Sequence, residues 1–322
     1  MRPLLLKGHE RTITHLQFNA EGDLLFSCAK SYVPCVWFAD NGELAGTFHG
    51  HNGTVWSCDV TYDSKTLITG SGDNTAKIWD VRNGKTIHTL KHKAPVRSVG
   101  WGVGATRFFT STDNFMSFVP ILSIYSYDPE NPTETPESKS QIECGSKVTQ
   151  AVWGRLDQTI YTCDDQGSVT VYDTETRKVI LHKALHRGAI HKMSFDAEKG
   201  MFITSSKDGT AKLIDAKTLE VMKTYQTGRP VNCAVLSPLK NHVLLGGGES
   251  AETVTTSKLD TQQFRARFFH SIYENEIGSY MGHFGTMTSI AISPDGKTFA
   301  SGAEDAYVRL HHLDDEYLSM KD

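Results

Sequence analysis

Fourteen histidines in 322 residues raise the question of a metal site first. His88 and His92 are spaced HxxxH, as are His182 and His186. On a helix that spacing puts two imidazoles on one face and suits zinc. Here both pairs lie in strand-and-loop patterns, and the second histidine of each opens a repeat unit, so no metal is expected. His311 and His312 are adjacent on a strand and point to opposite faces, one inward and one to the surface. Carboxylates cluster at Asp164-Asp165, at Asp314-Asp315-Glu316 and at Glu249. General acid–base work needs a pair held across one cleft. These fall in turns of different units and read as solvated turn residues. Gly246-Gly247-Gly248 lacks the GK[ST] of a phosphate loop and opens no helix. In a strand such a run signals a bulge or a close backbone approach. No GxSxG occurs. Neither catalytic residues nor a cofactor are expected.

Arg265, Arg267 and His270 interleave with Phe264, Phe268 and Phe269. Such alternation can bind single-stranded nucleic acid, and it equally describes an edge strand with one packed face. The formal net charge of -4 argues against phosphate neutralisation as a main task, and direct RNA contact is not expected. Cys28, Cys35, Cys58, Cys144, Cys163 and Cys233 show no CxxC pairing and read as buried free thiols of a reducing compartment. Met1 to Leu6 is far short of a signal sequence and no apolar run approaches a membrane span. The expectation is a cytoplasmic protein without membrane contact.

The elements that carry these residues repeat. Gly8-His9 is followed by Gly50-His51 and then by Lys91-His92, at steps of 42 and 41 residues. His186 and His283 follow after 94 and 97 residues, each two steps. The two unmarked units, near Gly145 and Gly228, keep the alternating apolar pattern without the histidine. Seven units follow, starting near 8, 50, 91, 144, 185, 227 and 282, and residues 1–322 read as one ring of seven four-stranded sheets. The last unit, ending AYVRLHHLDD, supplies three strands, so residues 2–7 are expected to supply its fourth. The stretch DPENPTETPE at 128–137 reads as an exposed loop inserted between the third and fourth units.

The second unit, with ITGSGDNTAKIWD, resembles the WD-repeat family, which implies an all-β seven-bladed propeller. In that family His, Ser/Thr, Asp and Trp of a blade form a buried hydrogen-bonded set. The matching residues are His51, Thr69, Asp73 and Trp79. His186, Thr204 and Asp208 match with Ile214 for Trp, and His283, Ser301 and Asp305 match with His311 for Trp. His9, Ser27 and Trp37 match with Ser31 for Asp. The third unit keeps His92 and Asp113, the fourth has Thr162 with Gln166 in the Asp position, and the sixth has almost none of the set.

Beyond the repeat, MRPLLLKGHERTITHLQFNAEGDLLFSCAKS, the stretch from Gly246 to His270 and GHFGTMTSIAISPDGKTFASGAEDAYVRLHH are similar to the family of I subunits of eukaryotic translation initiation factor 3. That resemblance implies a non-catalytic role in starting protein synthesis, indirect association with the small ribosomal subunit, and a module shared with the B and G subunits. It also implies that a C-terminal helix of the B subunit docks around the fifth and sixth blades. Leu219, Val221, Met222, Lys223, Tyr225 and Arg229, with Lys217, are the candidate contacts there. The rival reading is another intracellular WD-repeat adaptor, such as a signalling scaffold or a ligase substrate receptor.

Overall fold

The computed structural model describes residues 3–116, 118–248 and 264–320. These residues form seven antiparallel four-stranded sheets arranged as a β-propeller. Blades 1 to 6 span residues 13–47, 55–91, 96–143, 148–184, 190–226 and 231–281, and blade 7 combines residues 287–312 with Leu4–Leu6. A short helix, Asp315–Ser319, follows, capped by the Asp314 carboxylate, which accepts from Tyr317 N.

The second strand of a blade is covered on both faces, and its sequence reflects that. TLITGS and MFITSS are buried from their second residue onward, and TFASGA throughout. Outermost strands such as VILHKA are mostly exposed. The apolar core is not inside any one blade. It forms seven clusters among the described residues, each shared by two consecutive blades. Phe26, Phe48, Val55, Leu67 and Trp79 join blades 1 and 2, for example. Close approach is needed at these joints. A Cβ on Gly70 would lie 2.8 Å from Val96 Cγ1, and one on Gly302 would lie 2.5 Å from Ile13 Cγ2.

The ring closes through its N-terminal strand. Leu4–Leu6 pairs antiparallel with Val308–His312, Leu4 opposite Leu310 and Leu6 opposite Val308. Leu6 is fully buried in the cluster between blades 7 and 1. Arg2, expected in this strand, lies outside the described residues. So does Glu249.

Two expectations about placement change. The 128–137 stretch does not link blades 3 and 4; it connects Ile121–Ser126 to Glu137–Glu143, the third and fourth strands of blade 3. It is largely exposed, and Pro132 O lies 2.7 Å from His88 Nε2, which fastens it to blade 2. Arg265–His270 is not an edge strand, since it is paired on both sides. Its Phe268 and Phe269, with Phe264 before it, are buried and unavailable for stacking on a base. All six cysteines are buried and free, and burial pushes the Cys35 and Cys233 thiols up to about 12.

Leu6→Ala is expected to destabilise the chain by about 2–4 kcal/mol in chemical denaturation, because it leaves a cavity at the ring joint. Leu5→Ala, on the half-exposed side of the same strand, should be close to neutral.

Candidate functional site

The histidine sets are built at the top of the blades. In blade 2, His51 Nε2 lies 2.7 Å from Thr69 Oγ1, and Trp79 Nε1 donates to the same oxygen at 2.8 Å. His51 Nδ1 is 2.8 Å from Asp73, which also accepts from Asn52 N. Asp73 can only accept, so the imidazole proton sits on Nδ1 and Nε2 takes the threonine hydroxyl proton. Burial holds His51 below its ordinary pKa. Burial raises Asp73, but bonds from Thr75, Asn52 and His51 outweigh it and hold the carboxyl low. The set is thus a neutral imidazole locked onto a carboxylate, which fixes the turn at Asp73 over the chain entering the blade.

Blade 5 repeats this with His186 at 3.0 Å from Asp208 and 2.8 Å from Thr204, and with buried Ile214 in place of Trp. In blade 7, His283 lies 3.1 Å from Asp305 and 2.8 Å from Ser301. His311 takes the Trp place, with Nε2 3.2 Å from Ser301 Oγ and its ring stacked on Phe299. Arg309 adds an ion pair to Asp305 at 2.9 Å. In blade 1, His9 and Trp37 meet at Ser27, at 2.7 and 2.8 Å, and Ser31 Oγ lies 3.3 Å from His9.

Blades 3 and 4 depart further than their sequences suggest. In blade 3, Asp113 turns away from His92 and pairs with Arg97 at 3.4 Å and Lys147 at 3.3 Å. His92 Nε2 is buried without a hydrogen bond and its ring meets Tyr125 edge-on. In blade 4, Asp164 is not a solvated turn residue. It is buried and accepts from Ser146 Oγ and from the backbone N–H groups of Gln166 and Ser168. Asp314, Asp315 and Glu316 are exposed. His182, of the second HxxxH pair, bonds Thr170. Gly246 and Gly247 provide the close approach expected of them, since a Cβ would meet Ile290 Cδ1 at 2.7 Å and Pro230 O at 2.1 Å.

A feature that the residue pattern does not announce surrounds the channel. The first strand of every blade skips one residue in its pairing: Thr14, Trp56, Arg97, Thr149, His191, Asn232 and Thr288. A bulge re-aims the side chain it carries, and these seven line one cavity of about 280 Å³ at the channel mouth. Thr288 Oγ1 donates to Ile13 O at 2.6 Å and Asn232 Nδ2 to Met287 O at 3.0 Å, each crossing to the next blade. The Arg97 guanidinium lies 4.1 Å from the Trp56 ring centroid. Deeper in, Lys192 spans the channel from blade 5, donating to Thr14 O at 3.0 Å and Ser289 Oγ at 2.7 Å. Burial brings this ammonium down to about 8.

The candidate contacts of blade 5 separate into two groups. Leu219 and Tyr225 are buried and cannot meet a partner: Leu219 packs in the cluster between blades 4 and 5, and Tyr225 donates its hydroxyl to Ser271 O. Val221 and Met222 are exposed, and Lys223 pairs with Glu274 of blade 6 at 3.3 Å. Arg229 is exposed beside a cavity of about 270 Å³ that Arg265 and Arg267 also line. Sequence reasoning missed Ile272 and Tyr273, exposed in the turn of blade 6 that Tyr225 and Lys223 tie to blade 5. Their signal was two apolar residues in a turn, SIYENE, where polar residues are usual.

Seven four-stranded blades, closed by the first strand and carrying His–Ser/Thr–Asp sets in blades 2, 5 and 7, define a propeller of the WD-repeat type. A sequence model of the EIF3I family matches residues 1–322, and the chain belongs to that family. It is 42% identical over 322 residues to eukaryotic translation initiation factor 3 subunit I of Homo sapiens, covering 100% of this chain and 99% of that one. The Bombyx mori protein of the same name is 45% identical over 320 residues, covering 98% and 97%.

Thr69→Val, which strands the Trp79 and His51 nitrogens, should cost about 2–3 kcal/mol in chemical denaturation. Thr110→Val, at the same place in blade 3 where the hydroxyl makes no hydrogen bond of normal geometry, should be near neutral. Stability should also depend on pH in two windows. Burial pulls His9 and His92 to about 4, and His311 to about 3, from 6.5. Between those values the unfolded chain binds more protons, so stability is full above pH 6.5 and declines as pH falls toward 4. Lys192 acts at the other end: its folded value of about 8 lies below the ordinary 10.5, so its burial penalty is relieved as pH rises from 8 to 10.5. Denaturation midpoints from pH 4.5 to 10 should show the acid decline; at the alkaline end the buried thiols, raised above their ordinary value, pull the other way, so the Lys192 contribution is read as a steeper alkaline decline in Lys192→Met than in the wild-type chain.

Proposed function

We propose that this chain is a non-catalytic scaffold subunit of translation initiation factor 3 that binds the B and G subunits and supports preinitiation complex assembly and mRNA recruitment or scanning in the cytoplasm. The observation that carries the reading is that the family match runs through all seven blades at full length. Among the described residues no helix is long and apolar enough to cross a membrane.

The junction of blades 5 and 6 supports the docking of a helix from the B subunit. Val221 and Met222 on the outer strand of blade 5, and Ile272 and Tyr273 on the turn of blade 6, expose apolar side chains on two elements that the Lys223–Glu274 pair and the Tyr225–Ser271 hydrogen bond hold together. An amphipathic helix laid there would bury its apolar stripe on the four and meet the charges at its edge. The scaffold needs little ordering on binding, because hydrogen-bonded sheets hold both contributors in place.

The test is capture, by the full chain, of the C-terminal segment of the B subunit. Met222→Asp and Tyr273→Ala should each weaken binding by about tenfold or more with the unfolding midpoint unchanged. Undiminished binding by both variants would remove this junction from the interface. No binding by the wild-type chain would favour an adaptor of another kind.

A further inference from the structure

The turn of blade 6 that carries Ile272 and Tyr273 is held differently from its counterparts. In blades 2, 4 and 5 the third strand ends in Asp80, Asp173 and Asp215, and each carboxylate accepts from one or two backbone N–H groups of the turn that follows. Such a turn is self-contained. Blade 6 ends its third strand in His270. Its Nδ1 takes the place of the carboxylate, accepting from Ile272 N at 3.1 Å and Tyr273 N at 3.4 Å. An imidazole nitrogen that accepts carries no proton, so the proton is on Nε2. Nε2 is buried and makes no hydrogen bond. A ring in that state is kept in place by what packs on it, since turning the N–H toward water would relieve the cost of leaving it unpaired.

The groups that pack on His270 lead to the C-terminal helix. The His270 ring meets the Tyr273 ring at 4.6 Å between centroids, and at 5.9 Å the ring of His242, its opposite number across the strand pair. His242 is buried, and its Nδ1 lies 2.7 Å from the Tyr317 hydroxyl of the helix Asp315–Ser319. Tyr317 also meets the His242 ring at 5.4 Å and the Phe268 ring at 5.8 Å, and with Leu318 it packs on the cluster shared by blades 6 and 7. Five residues are too few to hold a helix in water, so these contacts are what place it. We propose that the C-terminal helix is a positioning element for the blade 5–6 junction: Tyr317 fixes His242, His242 backs His270, and His270 sets the turn that presents Ile272 and Tyr273. Release of the helix removes the support of His242, lets His270 turn Nε2 to water and frees the N–H groups of Ile272 and Tyr273. The coupling stands on these contacts alone, and its effect on a partner rests on the docking proposed for that junction.

The test is hydrogen–deuterium exchange of the full chain, with capture of the C-terminal segment of the B subunit as a second readout. Tyr317→Phe deletes the hydroxyl and keeps the ring on Phe268. It should speed exchange in the peptide spanning residues 271–275 by about tenfold, leave blades 1 to 4 and the unfolding midpoint unchanged, and weaken capture by about threefold or more. Leu318→Ser, which loosens the helix at a different contact, should speed the same exchange. His270→Asn gives the turn a side-chain carbonyl acceptor that needs no backing. In that background Tyr317→Phe should no longer change exchange at 271–275. Unchanged exchange there in both Tyr317→Phe and Leu318→Ser would overturn the inference, and so would an increase that persists with His270→Asn. Faster exchange with undiminished capture would uphold the coupling and count against docking at this junction.

Discussion

Both faces of every sheet in this molecule are apolar where the second strand runs, and a four-stranded sheet cannot bury two faces by itself. Each must find a neighbour on either side. The buried side chains accordingly group between blades, with Leu4, Leu6, Ile13, Leu16 and Leu310 performing for blades 7 and 1 what Phe26, Val55 and Trp79 perform for blades 1 and 2. A row of blades would end in two bare faces. The ring removes both ends, and three residues of strand, Leu4–Leu6, complete the last sheet. Loss of apolar exposure over two whole faces is the driving force for closure, and the strand pairing supplies its register.

Given that frame, the hydrogen-bonded sets act locally. They fix the tops of blades 1, 2, 5 and 7, and apart from His311 Nδ1 in blade 7 the polar groups in them are satisfied by one another. Where they are missing, different devices appear. Blade 4 buries Asp164 under Ser146 and two backbone donors. Blade 6 has Leu245 where the other blades have Ser or Thr, and brings Gly246 against Ile290 of blade 7. Blade 3 leaves His92 Nε2 without a hydrogen bond and directs Asp113 to cations of its own first strand and of blade 4. The least regular blade tops also carry the least regular surface, since a turn freed from the set can be longer and of other composition.

Much of this was legible in the residues. The histidine steps gave the number of units, and alternation carried the count through the units that lack the histidine. The missing fourth strand of the last unit pointed to the N-terminus. What stayed hidden depends on neighbours distant in sequence. Leu219 and Tyr225 look like surface residues of an outer strand until Tyr161 of blade 4 and Ser271 of blade 6 close over them. Asp164-Asp165 reads as a wet turn because nothing nearby in sequence announces that Ser146 will face it. DPENPTETPE reads as a linker because a fourth strand as exposed as Glu137–Glu143 has little apolar pattern to advertise it. The bulges leave no local mark at all: Thr, Trp, Arg, His and Asn occupy equivalent positions.

The closing strand has a consequence for the making of the protein. Chains emerge from the ribosome N-terminus first, so Leu4–Leu6 is available long before its partner, Val308–His312. Blades 1 to 6 can assemble pairwise as they appear, each covering one face of the one before it. Blade 1 meanwhile keeps its outer face open, with Ile13 and Leu16 uncovered, until blade 7 arrives. Synthesis time, at about 5–20 residues per second, thus sets a waiting period of tens of seconds during which an apolar face and an unpaired strand are exposed together. A nascent chain in that interval is a natural client for chaperones, and truncation before residue 308 would make the exposure permanent.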